Sequence, residues 1–442
     1  MASKNAEAGA VAGNSGGGAT TATPTTVSQP AGAKPVVCFL GPITSYTHQA
    51  TLSAFPPDKF ELMPVVTIKD IFETTQSGRA SYGVVPFENS TNGSVVFTLD
   101  CFADRAGACP DLSVCAEIYL DVHHCLVGRR RRRRQQQSPS SSADSNVVGG
   151  GDGGGGGDEE EGEEDLSRAI RRVYSHPQAF GQCTRFLGTR LRGVETVDVS
   201  STSRAAEIVR DESESSSFVS PSCSSSPASS SSPSPPSSSS SSSSEIFEAA
   251  AISSAPAAEM LGLDILARNI EDRADNTTRF FVLRKGAGEE EEGVDIESLL
   301  CRSRARGPAT TTTTTTTSSS SEETPPSPSP SPSATTTKSL VSFTVPHRSP
   351  GALADVLDCF RRSGLNLTSI SSRPSLVPDT DDGGNGNGSA SFQYIFFVEF
   401  EGHRFRDPEG RVRDALAGVA AAARRWRWLG SWENMLLSLG GR

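Results

Sequence analysis

Short apolar runs followed by a polar turn and a helix start recur along the chain, and this alternation restricts the fold more than any other feature. Pro35–Leu40 breaks at a Gly-Pro pair, and a helix pattern opens at Ile43. Strands that alternate with helices predict the α/β class, with a parallel sheet covered on both faces. Such sheets bind ligands at the carboxyl ends of their strands. Further strands are predicted in this way at Val65–Ile68, Tyr82–Pro86, Glu117–Val127 and Glu248–Ile252, and the strand-to-helix pattern also repeats from Arg172 and from Val197.

Low-complexity segments divide the chain of 442 residues. We predict disorder for an N-terminus over 1–33, insertions at about 129–165 and 211–244, and a linker over 285–337, since these segments hold few apolar residues. The remainder forms one domain over 34–284 and a small one over 338–434. The net charge of −11 comes partly from acidic runs in these segments, so it says little about partners.

Several functional classes are disfavoured by the sequence. The run Arg129–Arg134 lacks interleaved aromatic residues and lies beside glycines and acids, so we predict no nucleic-acid binding. No apolar run is long enough to span a membrane. The nine cysteines form no C-x-x-C pair, and together with the lack of a signal pattern this predicts reduced thiols in a cytoplasmic protein. His123 and His124 would point to opposite faces of a strand, which disfavours a metal site.

Hydroxyl and amide side chains cluster where predicted strands pass into helices. The first backbone N–H groups of a helix are unpaired and its dipole favours negative charge, so these turns are candidate anion sites. Plain N-capping would explain one hydroxyl per turn without any ligand. The candidate ligands at these turns are Ser45, Thr47, Asn89, Ser90, Gln178, Ser201 and Thr202.

A compact polar run also leads directly into an apolar strand at Asn276–Leu283. Arg279 can pair with a carboxylate through two parallel hydrogen bonds, and the neighbouring hydroxyls can donate without carrying charge. These groups suit a small anionic substrate. The alternative interpretation is a solvated turn before a strand.

The last part of the chain has a different pattern. Its strands and helices follow the order βαββαβ, which predicts a ferredoxin-like regulatory module without a catalytic set. The predicted elements are strands at Ser339–Val345, Asn366–Ser372, Phe392–Phe400 and Trp426–Leu429, and helices at Gly351–Arg362 and Glu409–Ala422.

Five of these motifs, taken in order, resemble those of the monofunctional prephenate dehydratases. The resemblance implies a two-lobed catalytic domain shaped like a periplasmic binding protein, with 36–99 and about 253–284 in one lobe and the middle in the other. The motifs that carry it are Gly41–Ala50, Gly83–Gly93, Ser175–Ala179, Ser201–Ala206 and Asn276–Phe280.

The resemblance also implies an activity and roles for single residues. Prephenate would lose carbon dioxide and water to give phenylpyruvate, a reaction that requires no cofactor or metal. Thr278 would donate to the departing hydroxyl, and Arg279 would orient a carboxylate. Phe280 would pack against the ring or belong to the core, and the seven turn residues would act as supporting donors.

The C-terminal module resembles the ACT domain that follows the catalytic domain in this family. In the family this domain binds phenylalanine and inhibits the enzyme, and its pairing suggests a homo-oligomer, a dimer or a tetramer. Ser371 stands where the family motif has an acid, and Ser349 is inserted before Pro350. The implied phenylalanine-site residues are Gly351, Ala352, Leu353, Asn366, Leu367, Ser372, Arg373 and Pro374.

Two other functions fit the same residues. An arogenate dehydratase would run the same chemistry on a substrate with an amino group in place of the keto group. A non-catalytic amino-acid sensor on a binding-protein fold would bind its ligand without forming phenylpyruvate.

Overall fold

The computed structural model describes residues 33–129, 166–215, 247–286, 336–346, 349–376 and 393–436. Most of the segments predicted to be disordered therefore lie outside the described residues. Within the described ranges, no helix is both long and apolar enough to cross a bilayer. The seven cysteines in these ranges are free thiols, and all but Cys101 are buried.

The N-terminal elements supply five strands of a mixed sheet. Strand β1 lies parallel to both β2 and β3, as the strand–helix alternation predicts. These elements are β1 (Val36–Leu40), α1 (Tyr46–Ala54), β2 (Glu61–Val65), α2 (Ile68–Gln76), β3 (Tyr82–Asn89), β4 (Gly93–Ser94), α3 (Val96–Ala103) and β5 (Leu112–Asp121).

The strand predicted at Val65–Ile68 is wrong, because β2 ends at Val65 and a helix begins at Ile68. Thr67 caps that helix: its hydroxyl accepts a bond from the Asp70 N–H at 3.1 Å, and the Asp70 carboxylate accepts one from the Thr67 N–H at 2.8 Å. This reciprocal arrangement satisfies two backbone donors that a strand would have used in its ladder.

A second sheet has five strands in the order β10-β6-β9-β7-β8. Helix α7 runs on to Ser215, so the first five residues of the insertion predicted at 211 are helical; within them, Glu212 accepts a bond from the Tyr174 hydroxyl at 2.8 Å. The elements are β6 (Cys125–Gly128), α4 (Leu166–Ala169), β7 (Ile170–Ser175), α5 (Pro177–Gln182), α6 (Thr184–Arg190), β8 (Glu195–Asp198), α7 (Thr202–Ser215), β9 (Phe247–Ser253), α8 (Ala255–Leu261) and β10 (Asp264–Ala267).

The chain crosses between the two sheets twice. The single strand predicted at Glu117–Val127 is wrong: β5 belongs to the first sheet, β6 to the second, and residues 122–124 connect them. Residues 268–276 make the return crossing, and β11 (Thr277–Lys285) then inserts antiparallel between β3 and β5. The expected grouping of 36–99 with 253–284 is also corrected, since β5 joins the first sheet and β10 the second.

The C-terminal elements follow the predicted order. Their strands form an antiparallel array β13-β14-β12-β15, and Phe360 and Val419 from the two helices pack against one face of it. The elements are β12 (Thr337–Thr344), α9 (Ala352–Arg362), β13 (Leu367–Pro374), β14 (Tyr394–Glu401), α10 (Arg411–Ala422) and β15 (Arg425–Glu433).

Strand β15 joins this array to the first sheet. Gly430 pairs in parallel with Val114 of β5, and a Cβ atom at Gly430 would lie 2.1 Å from the Val114 carbonyl oxygen. Only glycine allows this close approach. Gly430 also has a φ of 144°, which other residues rarely adopt. Trp432 is fully buried beside Phe281 of β11, with ring centroids 5.1 Å apart. The C-terminal strands therefore extend the first sheet to ten strands.

His403 lies in the turn after β14, and its burial predicts that the free energy of unfolding depends on pH. Its Nδ1 accepts bonds from the N–H groups of Phe405 and Arg406 at 3.1 and 3.2 Å. Burial, aided by the charges of Arg406 and Arg284, lowers the pKa of His403 from 6.5 to about 4. The unfolded state therefore binds this proton more readily, so the stabilisation is complete above pH 6.5 and is lost as the pH falls towards 4. At 1.36 kcal/mol per pKa unit, the loss is roughly 3 kcal/mol.

Urea unfolding of the wild type and of His403→Asn at pH 7 and pH 4.5 measures this effect. Asparagine keeps an acceptor near the two N–H groups but does not titrate. The wild type should lose more unfolding free energy between the two pH values than the variant does. Equal losses would show that His403 is not the group responsible.

Candidate active site at the crossing between the sheets

The hydroxyl of Thr278 lies at the start of β11, beside the loop that follows β3. Its Oγ1 accepts a bond from Asn89 Nδ2 at 3.0 Å. Asn89 cannot be turned over, because its Oδ1 accepts bonds from the N–H groups of Thr91 and Asn92 at 3.0 and 2.9 Å. Among the described residues, the Thr278 hydroxyl has no acceptor for its own hydrogen. This partly exposed hydroxyl can therefore donate to a ligand.

A chain of hydrogen bonds runs from Asn89 to helix α1. Asn89 Nδ2 donates to Asn276 Oδ1 at 2.8 Å, and Asn276 Nδ2 donates to Gln182 Oε1 at 3.2 Å. Gln182 Oε1 also lies 2.7 Å from His124 Nε2, and His124 Nδ1 lies 2.9 Å from the Tyr46 hydroxyl. These residues come from elements of both sheets and from both crossings. The run of hydrogen bonds therefore fixes the first sheet relative to the second around Thr278.

The protonation of His124 follows from its partners. Gln182 Oε1 can only accept, so the hydrogen of the neutral imidazole lies on Nε2 and Nδ1 is left as an acceptor. Burial lowers the pKa of His124, against the opposing effects of the Gln182 bond and of Glu271. A neutral imidazole with fixed donor and acceptor sides orients its neighbours and does not act as a cationic ligand.

The return crossing is held by its own side chains. Ser90 Oγ donates to the Asp275 carbonyl and accepts from the Thr277 N–H, both at 3.0 Å. The Glu271 carboxylate accepts from the His124 N–H at 2.8 Å and lies 2.8 Å from His123 Nδ1. These bonds order the backbone on both sides of Asn276 and so position the start of β11.

Two predicted ligands act as helix caps. Ser45 Oγ accepts from the His48 N–H at 3.1 Å and donates to the Leu40 carbonyl at 2.8 Å. Ser201 Oγ accepts from the Arg204 N–H at 3.0 Å at the start of α7. The capping alternative considered for these turns therefore accounts for both hydroxyls.

The other predicted ligands differ in exposure. Thr47 and Phe280 are 5% and 1% exposed, and Phe280 packs in the apolar cluster under α1. Gln178 is exposed near the start of α5, and Thr202 is partly exposed at the start of α7. The structure thus bonds Thr278 to Asn89 and places Ser90 beside them, against Asp275 and Thr277. Separate helix starts carry Ser45, Thr47, Gln178, Ser201 and Thr202.

Arg279 lies in a different environment from Thr278. Neighbouring residues of a strand point to opposite faces, and Arg279 lies on the face away from Thr278. Its Nη2 donates to Glu117 Oε2 at 2.6 Å and to Glu399 Oε2 at 2.7 Å, and its side chain is 7% exposed. Lys338 Nζ lies 3.3 Å from Glu399 Oε1. We call Arg279, Glu117, Glu399 and Lys338 the buried ion cluster; two of its members belong to the C-terminal elements.

The ionisation of Glu399 depends on this cluster. Burial alone would raise the pKa of its carboxyl, but the charges of Arg279 and Lys338 and a bond from Thr368 outweigh burial, so the pKa is lowered. Glu399 is therefore a carboxylate at neutral pH, and the Arg279 guanidinium is paired with protein carboxylates. The sequence motif around Thr278 gave no signal of this arrangement.

Sequence reasoning also missed the roles of Tyr46, His124 and Gln182. The sequence suggested only half of a metal site at His124, and among the described residues no group of three His, Cys, Asp or Glu side chains could hold a metal. The available signal was the polar interruption at His123-His124 within an apolar run, which marks the first crossing.

The predicted phenylalanine-site residues lie at two ends of the C-terminal sheet. Gly351 precedes α9 beyond the end of β12, and the end of β13 at Pro374 lies at the same end of the sheet. Asn366 and Leu367 precede or open β13 at the opposite end. Arg373 is held by the Asp100 carboxylate at 2.8 and 2.9 Å. A single chain therefore does not bring the whole set together.

A comparison with protein-family models identifies one family. The prephenate dehydratase model matches residues 37–287. A bifunctional chorismate mutase/prephenate dehydratase of Aquifex aeolicus is 27% identical over 401 residues, which cover 91% of this chain and 74% of that protein. A probable prephenate dehydratase of Saccharomyces cerevisiae is 26% identical over 386 residues, 82% of this chain and 86% of that protein.

A solved structure shares the fold. The crystal structure of prephenate dehydratase from Arthrobacter aurescens, in complex with L-Phe, superposes with a TM-score of 0.56 at 22% identity. The match covers 90% of each chain. This likeness supports the mixed α/β fold described above.

Proposed function

Because the chain belongs to the prephenate dehydratase family, we propose that it converts prephenate to phenylpyruvate, carbon dioxide and water. The observation that carries this proposal is the Thr278 hydroxyl, which accepts from Asn89 and keeps its hydrogen for a ligand. We take residues 34–284 as the catalytic domain, with two lobes built on the two sheets. The active site then lies where the chain crosses between them.

The reaction needs a donor for a leaving hydroxyl group. Loss of carbon dioxide supplies the electron pair that expels the hydroxyl, and the ring becomes aromatic, which provides much of the driving force. Thr278 is too weak an acid to transfer its proton fully, so it stabilises the negative charge that develops on the departing oxygen, which takes its proton from solvent and leaves as water. The bond from Asn89 fixes the orientation of the Thr278 hydroxyl before the substrate arrives.

The carboxylates of prephenate need separate anchors. Gln178 and Thr202 have side chains that bond to no described protein group and lie at helix starts of the second sheet. We assign them to the substrate carboxylates. Ser201 shapes the start of α7 and Ser45 the start of α1 through their caps. Thr47 and Phe280 support the wall from the core, and Ser90 holds the loop beside Thr278.

A side-by-side assay of prephenate and arogenate tests this assignment. Phenylpyruvate from prephenate is followed by its ultraviolet absorbance in alkali, and phenylalanine from arogenate by chromatography. We expect a higher kcat/KM for prephenate. A clear preference for arogenate would move the chain to the alternative activity, and binding of both without turnover would identify a sensor.

We further propose that residues 338–434 form an ACT regulatory domain that lowers activity when phenylalanine binds. Thr368 Oγ1 donates to Glu399 Oε1 at 2.7 Å, and Glu399 accepts from Arg279, the residue next to Thr278. This contiguous path connects the segment after Asn366 to the catalytic hydroxyl. Regulation along it requires that phenylalanine favour one of two arrangements of the buried ion cluster.

Replacing Thr368 with valine tests this path. The variant removes the bond to Glu399 and keeps the side-chain shape, so it should raise the phenylalanine concentration needed for half-inhibition several-fold while kcat without phenylalanine changes little. Ser369→Ala is the matched control, because Ser369 makes no side-chain bond to a described residue. Unchanged inhibition in Thr368→Val would contradict the path.

A second copy of the chain completes the phenylalanine site in this proposal. Gly351 and Leu367 lie at opposite ends of the C-terminal sheet, so one ligand can contact both only across an interface. Strand β13 is the edge of the ten-stranded sheet and exposes Ile370 by 52%. An apolar edge of this kind favours pairing with another copy. Light scattering should therefore give a dimer or a tetramer.

A further inference from the structure

A cavity of about 340 Å³ lies between the turn after α3 and one end of the C-terminal sheet. Its walls come from residues 102–105 and Pro110 on one side, and from 342–345, 393–395 and 424–427 on the other. None of the proposed catalytic or phenylalanine-site residues lines it. The volume falls within the range of natural sites for small molecules.

The cavity wall carries an excess of positive charge. Four arginines line it, at positions 105, 424, 425 and 427, against the single carboxylate of Asp104. Asp104 is itself engaged, since its carboxylate accepts bonds from the N–H groups of Ala108 and Cys109 at 2.7 and 3.1 Å. A partly enclosed wall of one charge sign attracts a ligand of the opposite sign.

Two of these guanidinium groups are fixed in place before any ligand binds. Arg427 Nη2 donates to the carbonyls of Cys109 and Leu112 at 2.8 and 2.9 Å. Arg105 Nε donates to the Pro374 carbonyl at 2.8 Å. Each group also meets a carboxylate, since Arg105 Nη2 donates to Asp100 Oδ1 at 2.9 Å and Arg427 Nη1 lies 3.6 Å from Asp104 Oδ2. These two arginines therefore order the wall and do not serve as free donors.

Arg425 is the available donor. It is exposed, and its guanidinium makes no hydrogen bond or ion pair with any described residue. A planar guanidinium offers two parallel N–H donors that match the two oxygens of a carboxylate. Arg425 can therefore bind a carboxylate at the rim of the cavity without first giving up a protein partner.

Aromatic side chains form part of the remaining wall. Phe102, Tyr394 and Trp426 line the cavity, and Tyr394 is 38% exposed. Aromatic side chains pack against the flat rings of ligands in offset or edge-to-face arrangements. A basic rim over aromatic walls selects a flat apolar body that carries a carboxylate.

We propose that this cavity binds a small aromatic carboxylate that lacks an amino group. The excess of arginine favours a net anion over a zwitterion such as an amino acid. The cavity also joins the catalytic and C-terminal elements, because Arg105 lies after α3 and its partner Pro374 ends β13. The proposal does not depend on dehydratase activity.

Isothermal titration calorimetry of the full chain with 3-phenylpropionate tests the proposal. The wild type should show saturable binding that weakens as the salt concentration rises. Arg425→Gln should weaken binding about tenfold or more, as expected for loss of a charged hydrogen bond. The matched control is Arg192→Gln, since Arg192 is also exposed and bonds to no described residue but lies outside the cavity.

Three results would overturn the proposal. These are no saturable heat with the wild type, equal affinities for the wild type and Arg425→Gln, and an equal loss of affinity in Arg192→Gln. Inorganic phosphate provides a further comparison. If it displaced 3-phenylpropionate at equal concentration, the aromatic walls would contribute nothing and the assigned ligand class would be wrong.

Discussion

Replacing Thr278 with valine should lower kcat for prephenate by about a hundredfold to a thousandfold, the usual effect of removing one donor to a developing negative charge. Valine keeps the β-branched shape, so strand β11 and its apolar neighbours should be undisturbed. The lost group is the only part of Thr278 that the proposed mechanism uses. KM should change little, because the substrate carboxylates bind elsewhere in this proposal.

Two variants make this result specific. Thr277→Val removes the neighbouring hydroxyl, which donates to Asp121 Oδ1 at 2.9 Å, and should keep most of the activity. Thr278→Ser restores a hydroxyl at the same position and should recover a large part of kcat. Near-normal turnover by a folded Thr278→Val protein would rule out the assigned role.

Replacing Glu399 with alanine should lower the unfolding free energy by about 3–5 kcal/mol, the usual cost of removing one partner of a buried ion pair. Glu399 and Glu117 are each 1% exposed. Without Glu399, the variant leaves Arg279 and Lys338 with only Glu117 as a buried counter-charge. Urea unfolding at neutral pH measures the loss. Activity should fall as well, because Arg279 directly follows Thr278 in β11 and a shift of its side chain would displace the Thr278 hydroxyl.

Glu409→Ala is the matched control for this prediction. Glu409 pairs with Arg411 at 2.9 Å, but its side chain is 70% exposed. An exposed pair of this kind contributes about 1 kcal/mol or less. If Glu399→Ala were no more destabilising than Glu409→Ala, the buried ion cluster would not connect the C-terminal elements to β11 as described.

The buried ion cluster also affects the stability of a truncated chain. A protein that ends near Leu283 would keep Arg279 and Glu117 but lose Glu399 and Lys338, and it would expose the surface that Trp432 covers beside Phe281. Removal of the C-terminal elements therefore changes stability as well as regulation. Single substitutions such as Thr368→Val separate the two effects more cleanly.

Local patterns in the sequence predicted those strands and helices that each lie wholly within one sheet or its covering layer. The run before Gly41-Pro42 is β1, and the C-terminal order βαββαβ is found as predicted. Local patterns failed where one apolar run serves two sheets. Val122 and Cys125 are 5% and 1% exposed, so hydropathy does not reveal that the chain leaves one sheet between them.

The candidate site was predictable only in part for the same reason. A polar segment before a buried strand is visible locally, and it indicated Thr278. The partner of Asn276 lies 94 residues away at Gln182, and Arg279 bonds to Glu399 across 120 residues. Tertiary packing decides which face a side chain takes and which charge it meets, and no local pattern records either.

The ultraviolet assay for phenylpyruvate, run on the full chain with prephenate in the presence and absence of phenylalanine, tests the central claim most directly. The proposed function predicts phenylpyruvate formation well above the uncatalysed rate, and a lower rate when phenylalanine is added. Formation of phenylpyruvate at the uncatalysed rate, by a protein shown to be folded, would contradict the claim that this chain is a working prephenate dehydratase.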